Sequence, residues 1–124
     1  MRTVADCKIL EKTEVSPSIL RFVLENEIIA RHSQPGQFVN VKVLDSLDPL
    51  LRRPFSVHSA NPEDGTFSLL FDVIGRGTML LAQYNEGDVV SVVGPLGTAF
   101  DLGNSQNSMH ILVAGGCGAA PLHF

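Results

Sequence analysis

Two short stretches carry residue types that can hold an anion. The first, Arg52-Arg53-Pro54-Phe55-Ser56-Val57-His58-Ser59, opens with cations and places a hydroxyl three residues after Arg53. The second, about twenty residues later, is Gly75-Arg76-Gly77-Thr78-Met79-Leu80, a glycine turn opening a helix. A helix start offers N–H groups without intrahelical partners and the positive end of the helix dipole. A guanidinium forks onto phosphate oxygens. Together they suit an anionic, phosphate-bearing cofactor. Thr78 is first a helix cap, a role compatible with phosphate binding because both use the same N–H end. Arg76 has two open readings, one toward a phosphate and one toward water, and Arg52 reads as solvated loop charge.

The elements that must position these stretches follow from alternation and turn chemistry. Residues 3–15 read as a first strand, 19–25 as a second, and 27–31 as another short extended piece. Gln34-Pro35-Gly36 is a turn. Phe38, Val39, Val41 and Val43 alternate with Asn40 and Lys42 in a third strand, and 45–51 is a loop marked by Asp48-Pro49. Residues 53–59 form the fourth strand, closed by the hairpin loop Asn61-Pro62-Glu63-Asp64-Gly65. A fifth strand covers 66–74. Residues 77–84 have helical spacing, and Gly87 is placed for a left-handed turn. A sixth strand covers 89–93, stopped by Gly94-Pro95-Leu96-Gly97. Six antiparallel strands with one inserted short helix imply an all-β chain closing into a small barrel.

Composition changes after residue 100. Residues 101–108 are polar and linker-like. The apolar run His110-Ile111-Leu112-Val113-Ala114 then leads into Gly115-Gly116-Cys117-Gly118-Ala119-Ala120-Pro121. A buried strand running into a glycine turn is how a parallel nucleotide-binding sheet opens. The expectation is a barrel over 1–100, a linker over 101–108, and over 109–124 the first strand and glycine turn of a truncated α/β nucleotide-binding domain. On that expectation the chain is the front part of a longer protein.

With 124 residues, 44% hydrophobic and 18% charged, the chain has the composition of one globular domain. A net charge of −4 and scattered cations speak against nucleic acid. No apolar run approaches a membrane span or a secretory leader. Cys7 and Cys117 lack metal-ligand spacing, and reduced thiols in a cytoplasmic protein are the simplest reading. His32, His58 and His110 show no partner pattern, so no metal ligand and no catalytic residue is assigned.

The order of motifs is more specific than any one of them. Arg-Pro-Phe-Ser, Gly-Arg-Gly-Thr, Gly-Pro-Leu-Gly and Val-Ala-Gly-Gly-Cys-Gly-Ala-Ala-Pro resemble the ferredoxin–NADP reductase superfamily, over nearly the whole chain. Within it, the doubled arginine and the Gly-Pro-Leu-Gly turn look most like the electron-transfer subunits of the dihydroorotate dehydrogenase B type. Reductase subunits of hydrogenases and glutamate synthases are similar.

The resemblance implies an FAD-binding Greek-key barrel followed by an NAD(P)-binding domain. It implies that Arg53 contacts the FAD phosphate, with Pro54 in the same motif. Phe55 stands where an aromatic, often Tyr, packs on the flavin, a role that adds to the plain core role open to any aromatic on a half-buried strand. Ser56 stands beside flavin N5. Leu70, Phe71 and Asp72 form the strand beside the cofactor, and Gly77 and Thr78 the pyrophosphate turn. Gly115, Gly116, Gly118 and Pro121 match a partial nicotinamide-nucleotide site. The implied activity passes electrons between NAD(P)H and an iron–sulfur centre or a catalytic partner subunit, in pyrimidine biosynthesis. NAD(P)H and a [2Fe–2S] centre belong only to a full-length protein or complex, since two cysteines cannot supply four cluster ligands. Asp72 departs from the pattern, standing where relatives often carry Lys or Arg. So does Thr98-Ala99, where close relatives often have Asn-Gly. The competing class is a non-enzymatic small barrel that binds a partner.

Overall fold

The computed structural model describes residues 1–103 and 108–124. Six strands carry the fold: β1 (Thr3–Ser16), β2 (Ile19–Glu25), β3 (Phe38–Val41), β4 (Arg53–Asn61), β5 (Thr66–Asp72) and β6 (Val89–Leu96). They close into a barrel in the order β1-β2-β5-β4-β3-β6, every neighbouring pair antiparallel. Because β2 pairs with β5 and not with β3, the connection is a Greek key and not a simple meander.

Alternation sets which face each strand buries. On β2, Leu20, Phe22 and Leu24 point inward, and on β4 Phe55 and Val57 do. Phe71 meets Phe22 edge-on at 5.2 Å and Phe55 at 5.3 Å. Such aromatic pairs add about 0.5–1.5 kcal/mol each beyond the area they bury. The barrel closes where β6 passes β3, and Gly94 makes the approach possible. A Cβ there would stand 2.5 Å from Val39 Cγ1.

Two helices fill the connections. The segment expected to be extended at 27–31 is instead helix α1 (Glu27–His32). The Asn26 side chain accepts the Ile29 N–H at 3.0 Å, and Glu27 pairs with Arg31 one turn on. The cap and the ion pair outweigh the strand preference of Ile28 and Ile29, and Ile29 plugs the core. Helix α2 (Arg76–Leu81) joins β5 to β6 and buries Leu81. Its last turn runs into the grip of Lys12, whose Nζ donates to the carbonyls of Ala82 at 2.6 Å and Tyr84 at 2.9 Å.

Strand β6 does not stop at residue 93. It continues through Gly94 and Pro95 to Leu96, which pairs with Phe38. A larger difference lies beyond the barrel. The run 109–114, expected as a strand, forms none, and Ile111, Leu112 and Val113 stand exposed. A closed barrel has no free edge, so this run finds no ladder partner. Gly116–Leu122 instead forms a 3₁₀ segment against β4 and β5. Part of the expected linker, 104–107, lies outside the described residues.

Cys7 and Cys117 are both free thiols, the first buried and the second exposed. Burial, with the Asp6 charge adding to it, pushes the Cys7 thiol from 9.0 up to about 12. The unfolded chain therefore ionises this thiol first, so its contribution to stability is complete below pH 9 and is lost as pH rises toward about 12. Chemical denaturation across that window, compared between the parent and Cys7→Ala, should show the parent losing the more stability as pH rises. Parallel curves would show that the thiol does not titrate as its burial requires.

Candidate functional site

The head of β4 and the tail of β5 lie at one end of the barrel because the two strands are antiparallel neighbours. Arg53 begins β4, and α2 begins shortly after β5 ends. The cation and the helix start therefore converge, and they touch. The Arg53 side chain lies across Gly77, where a Cβ would stand 2.8 Å from Arg53 Nε and 2.9 Å from Cγ. Arg53 Nη1 donates to the Leu51 carbonyl at 2.7 Å. The remaining guanidinium N–H groups have no partner among the described residues.

The helix start is built by Thr78. Its hydroxyl accepts from the N–H groups of Ile74 and Gly75, both at 3.0 Å, and donates to the Gly75 carbonyl at 3.0 Å. One donor and two acceptor positions are all a hydroxyl has, so the Thr78 side chain is spent on the turn. The first helical bond runs from Met79 N–H to Gly75 C=O at 2.8 Å. That leaves the N–H groups of Arg76, Gly77 and Thr78 without an intrahelical carbonyl. What this end presents to an anion is backbone, not hydroxyl.

The other arginines are committed. Arg52 is not solvated loop charge, since it forks onto Ser91 of β6, with Nη1 at 2.8 Å from the carbonyl and Nη2 at 3.0 Å from Oγ. Arg76 forks onto Asp48, Nη1 at 2.9 Å from one carboxylate oxygen and Nη2 at 3.0 Å from the other.

Further along β4, Pro54, Ser56 and His58 alternate with the buried Phe55 and Val57. Phe55 is a core residue, 8% exposed and packed on Phe71. Ser56 is half-buried, and its hydroxyl has no partner among the described residues. On β5, Phe71 is buried while Leu70 and Asp72 are half-buried. Asp72 Oδ1 accepts from Ser18 Oγ at 2.6 Å, which turns the carboxylate toward the β1–β2 turn.

Leu70, Phe71 and Asp72 line a cleft of about 120 Å³ whose other wall is Gly116, Cys117 and Ala120. The predicted glycine turn is thus brought to the predicted cofactor strand, although as a 3₁₀ segment. Gly115 precedes that segment and Pro121 lies within it. His58 holds the segment in place. Its Nδ1 lies 2.8 Å from the Ala120 carbonyl, and its ring stacks on His123 at 4.4 Å. No sequence pattern gives His58 a partner, because the contact joins positions far apart in the chain. Among the described residues no group of three His, Cys, Asp or Glu side chains could hold a metal.

The match to an oxidoreductase FAD-binding domain model spans residues 6–100, the barrel with Arg53, Ser56, Gly77 and Thr78 inside it. The chain belongs to the oxidoreductase FAD-binding domain family. This FAD-binding domain is 44% identical over its whole length to the electron transfer subunit of dihydroorotate dehydrogenase B from Desulforamulus reducens, covering 47% of that protein. It is 38% identical to the corresponding subunit from Lysinibacillus sphaericus over 94% of the chain and 45% of that protein. The domain therefore spans about half the length of these curated relatives. Among solved structures, an NADH-dependent reduced ferredoxin–NADP oxidoreductase aligns with TM-score 0.71 and 29% identity over 77% of the domain and 34% of that chain. Phthalate dioxygenase reductase shares the fold, with TM-score 0.73 and 23% identity over 97% of the domain and 37% of that chain.

The geometry fits the anionic half of FAD. A cation, the open N–H groups of a helix start and a glycine that admits the cation meet at one point. The cleft beside β5 is narrow. At about 120 Å³ it falls below the roughly 300–1,000 Å³ of small-molecule pockets, so a ring-sized ligand would enter it only if the 3₁₀ segment moved outward.

Because the Thr78 hydroxyl caps two N–H groups, Thr78→Val should destabilise the domain by about 1 kcal/mol. Thr78→Ser keeps the hydroxyl and should lose much less. Urea unfolding of the two variants measures this, and equal losses would mean that the hydroxyl bonds do not hold the turn.

Proposed function

We propose that the domain is the FAD-binding part of an electron-transfer flavoprotein of the dihydroorotate dehydrogenase B type. Such a protein passes electrons between NAD(P)H and an iron–sulfur centre or a catalytic partner subunit. The observation that carries this reading is the seating of Arg53 on Gly77 at the start of α2, on the strand that also carries Ser56. The identity to electron transfer subunits supports the choice of partner. Free thiols at both cysteines support a cytoplasmic setting. Among the described residues no helix is long and apolar enough to cross a membrane.

FAD, when bound, supplies hydride acceptance and single-electron release. The chain supplies position and charge. Arg53 and the N–H groups of Arg76, Gly77 and Thr78 hold the diphosphate. Pro54 and Ser56 present the outer face of β4 to the ring, and the Ser56 hydroxyl offers a hydrogen bond worth about 1 kcal/mol net. Leu70, Phe71 and Asp72 form the adjoining wall, with Phe55 supporting Phe71 from inside the core. The Ser18 hydroxyl on Asp72 keeps that carboxylate from facing the ring edge unpartnered. Gly115, Gly116, Gly118 and Pro121 form a partial nicotinamide site at the cleft's other wall. No side chain is assigned as acid or base.

Arg53→Ala should weaken FAD binding by roughly 1.5–3 kcal/mol, the range for a hydrogen bond to a charged group, without unfolding the barrel. Fluorescence titration at fixed salt, with circular dichroism as the folding check, tests this. Equal affinity in mutant and parent would sink the phosphate assignment.

A dinucleotide site needs a strand, the turn after it and a helix whose N-terminus holds the pyrophosphate. Here the run 109–114 forms no strand and the turn is a 3₁₀ segment. The 124-residue chain, loaded with FAD, should therefore be reduced by dithionite but only slowly by NADH or NADPH. Anaerobic stopped-flow absorbance of the flavin band is the measurement, and rapid bleaching by either nucleotide would refute the expectation.

A further inference from the structure

The Arg76–Asp48 fork belongs to a closed circuit of contacts. Asp48 lies in the loop between β3 and β4. Three residues on, the Leu51 carbonyl accepts from Arg53 Nη1. Arg53 rests on Gly77, the neighbour of Arg76, and Arg76 returns to Asp48 through two hydrogen bonds. Little else fixes Leu51. Within 45–51 only Pro49 is buried, while Leu47, Leu50 and Leu51 stand exposed. Arg52 ties the β4 end of the loop to Ser91, and Asp48 ties its middle to α2. The Leu51 carbonyl hangs between these two tethers.

As a source of stability the pair counts for little, because its side chains are 61% and 76% exposed and water screens such pairs. Its two-point geometry nevertheless fixes direction as well as distance. We propose that Asp48 is a positioning residue for the cofactor. Held by Arg76, it sets the loop so that the Leu51 carbonyl aims the Arg53 guanidinium at the start of α2. This rests on the assignment of that start as the diphosphate site.

The sign of one substitution separates positioning from plain electrostatics. Asp48→Asn removes a negative charge beside an anion site and frees Arg76. By Coulomb's law alone FAD should then bind more tightly. If Asp48 acts by aiming Arg53, FAD should bind more weakly, by roughly two- to fivefold, the upper end for an exposed ion pair. Riboflavin, which has no phosphate, should bind both proteins equally, and the melting temperature should hardly move. Asp48→Glu should restore most of the FAD affinity. In an Arg53→Ala background Asp48→Asn should cost nothing further, because the route through Arg53 is already gone.

A second readout needs no cofactor. In the FAD-free protein, the Arg53 Nε–H signal in nitrogen-15 NMR should exchange with water faster in Asp48→Asn than in the parent. Tighter or unchanged FAD binding by Asp48→Asn would overturn the proposal, as would an additive loss in the Arg53→Ala background or an unchanged Arg53 signal. Failure of the parent to bind FAD, or indifference to Arg53→Ala, would overturn the diphosphate assignment instead, and the Arg53 signal would still decide whether Asp48 aims that side chain.

Discussion

Closure of the sheet is the constraint from which the rest follows. With β1 paired to both β2 and β6, and β3 to both β4 and β6, every strand has two neighbours. Closure requires β6 to pass close to β3, which Gly94 allows. It also sends the chain from β2 to β3 through α1, and from β5 to β6 through α2. The helices are thus products of the topology. Each spans a gap between strands that are not neighbours, and each buries a side chain, Ile29 or Leu81, in the core. The same closure leaves no ladder edge for the run 109–114, whose apolar side chains consequently face solvent.

Closure also explains why the site lies where it does. Antiparallel pairing of β4 with β5 puts the first residue of one strand and the last of the other at the same end. Whatever begins β4 must face whatever follows β5. A cation at the first position and a helix start at the second are thereby brought into contact, the arrangement from which the proposed anion site is built. The contact is close enough that Gly77 cannot carry a Cβ without moving Arg53. The glycine serves the neighbouring side chain here, not a left-handed backbone.

The parts legible in the sequence are those whose cause is local. Alternation marks β2 and β3, where burying one face imposes a period of two, whereas β5 buries Phe67, Ser68 and Leu69 in succession and is marked by its aromatic and β-branched content. Arg53, Ser56 and the Gly77-Thr78 start stand out as candidates because each belongs to a short motif, and the structure brings Arg53 and Gly77 into contact. Helix α1 is hidden in the sequence because Ile28 and Ile29 favour strands, while the deciding signals, the Asn26 cap and the Glu27–Arg31 pair, are single side chains. The end of β6 is masked because Gly-Pro reads as a stop, although the barrel needs a small residue at that closure point. The run 109–114 looked like a strand because apolarity can be read along a chain, whereas a ladder partner cannot. The pairs Asp48–Arg76, Ser18–Asp72 and His58–Ala120 were invisible because folding alone brings them together.

The saturation of Thr78 has a consequence for recognition. A hydroxyl that already donates once and accepts twice has nothing left for a ligand. On the proposed reading, an anion here would be met by backbone N–H groups and one guanidinium. These groups respond to charge and to phosphate geometry, and they take no account of the base or ring attached. On that reading, discrimination among flavins at this end would rest on how many phosphates are present and where they lie, and the aim of Arg53 would add to what its charge supplies. A guanidinium held by one carbonyl, seated on one glycine and flanked by a two-point ion pair has few poses open to it. Preorganisation of this kind reduces the ordering cost of binding, and if the diphosphate is held here as proposed, it would put part of the selectivity in the loop before β4, where only Pro49 is buried within 45–51.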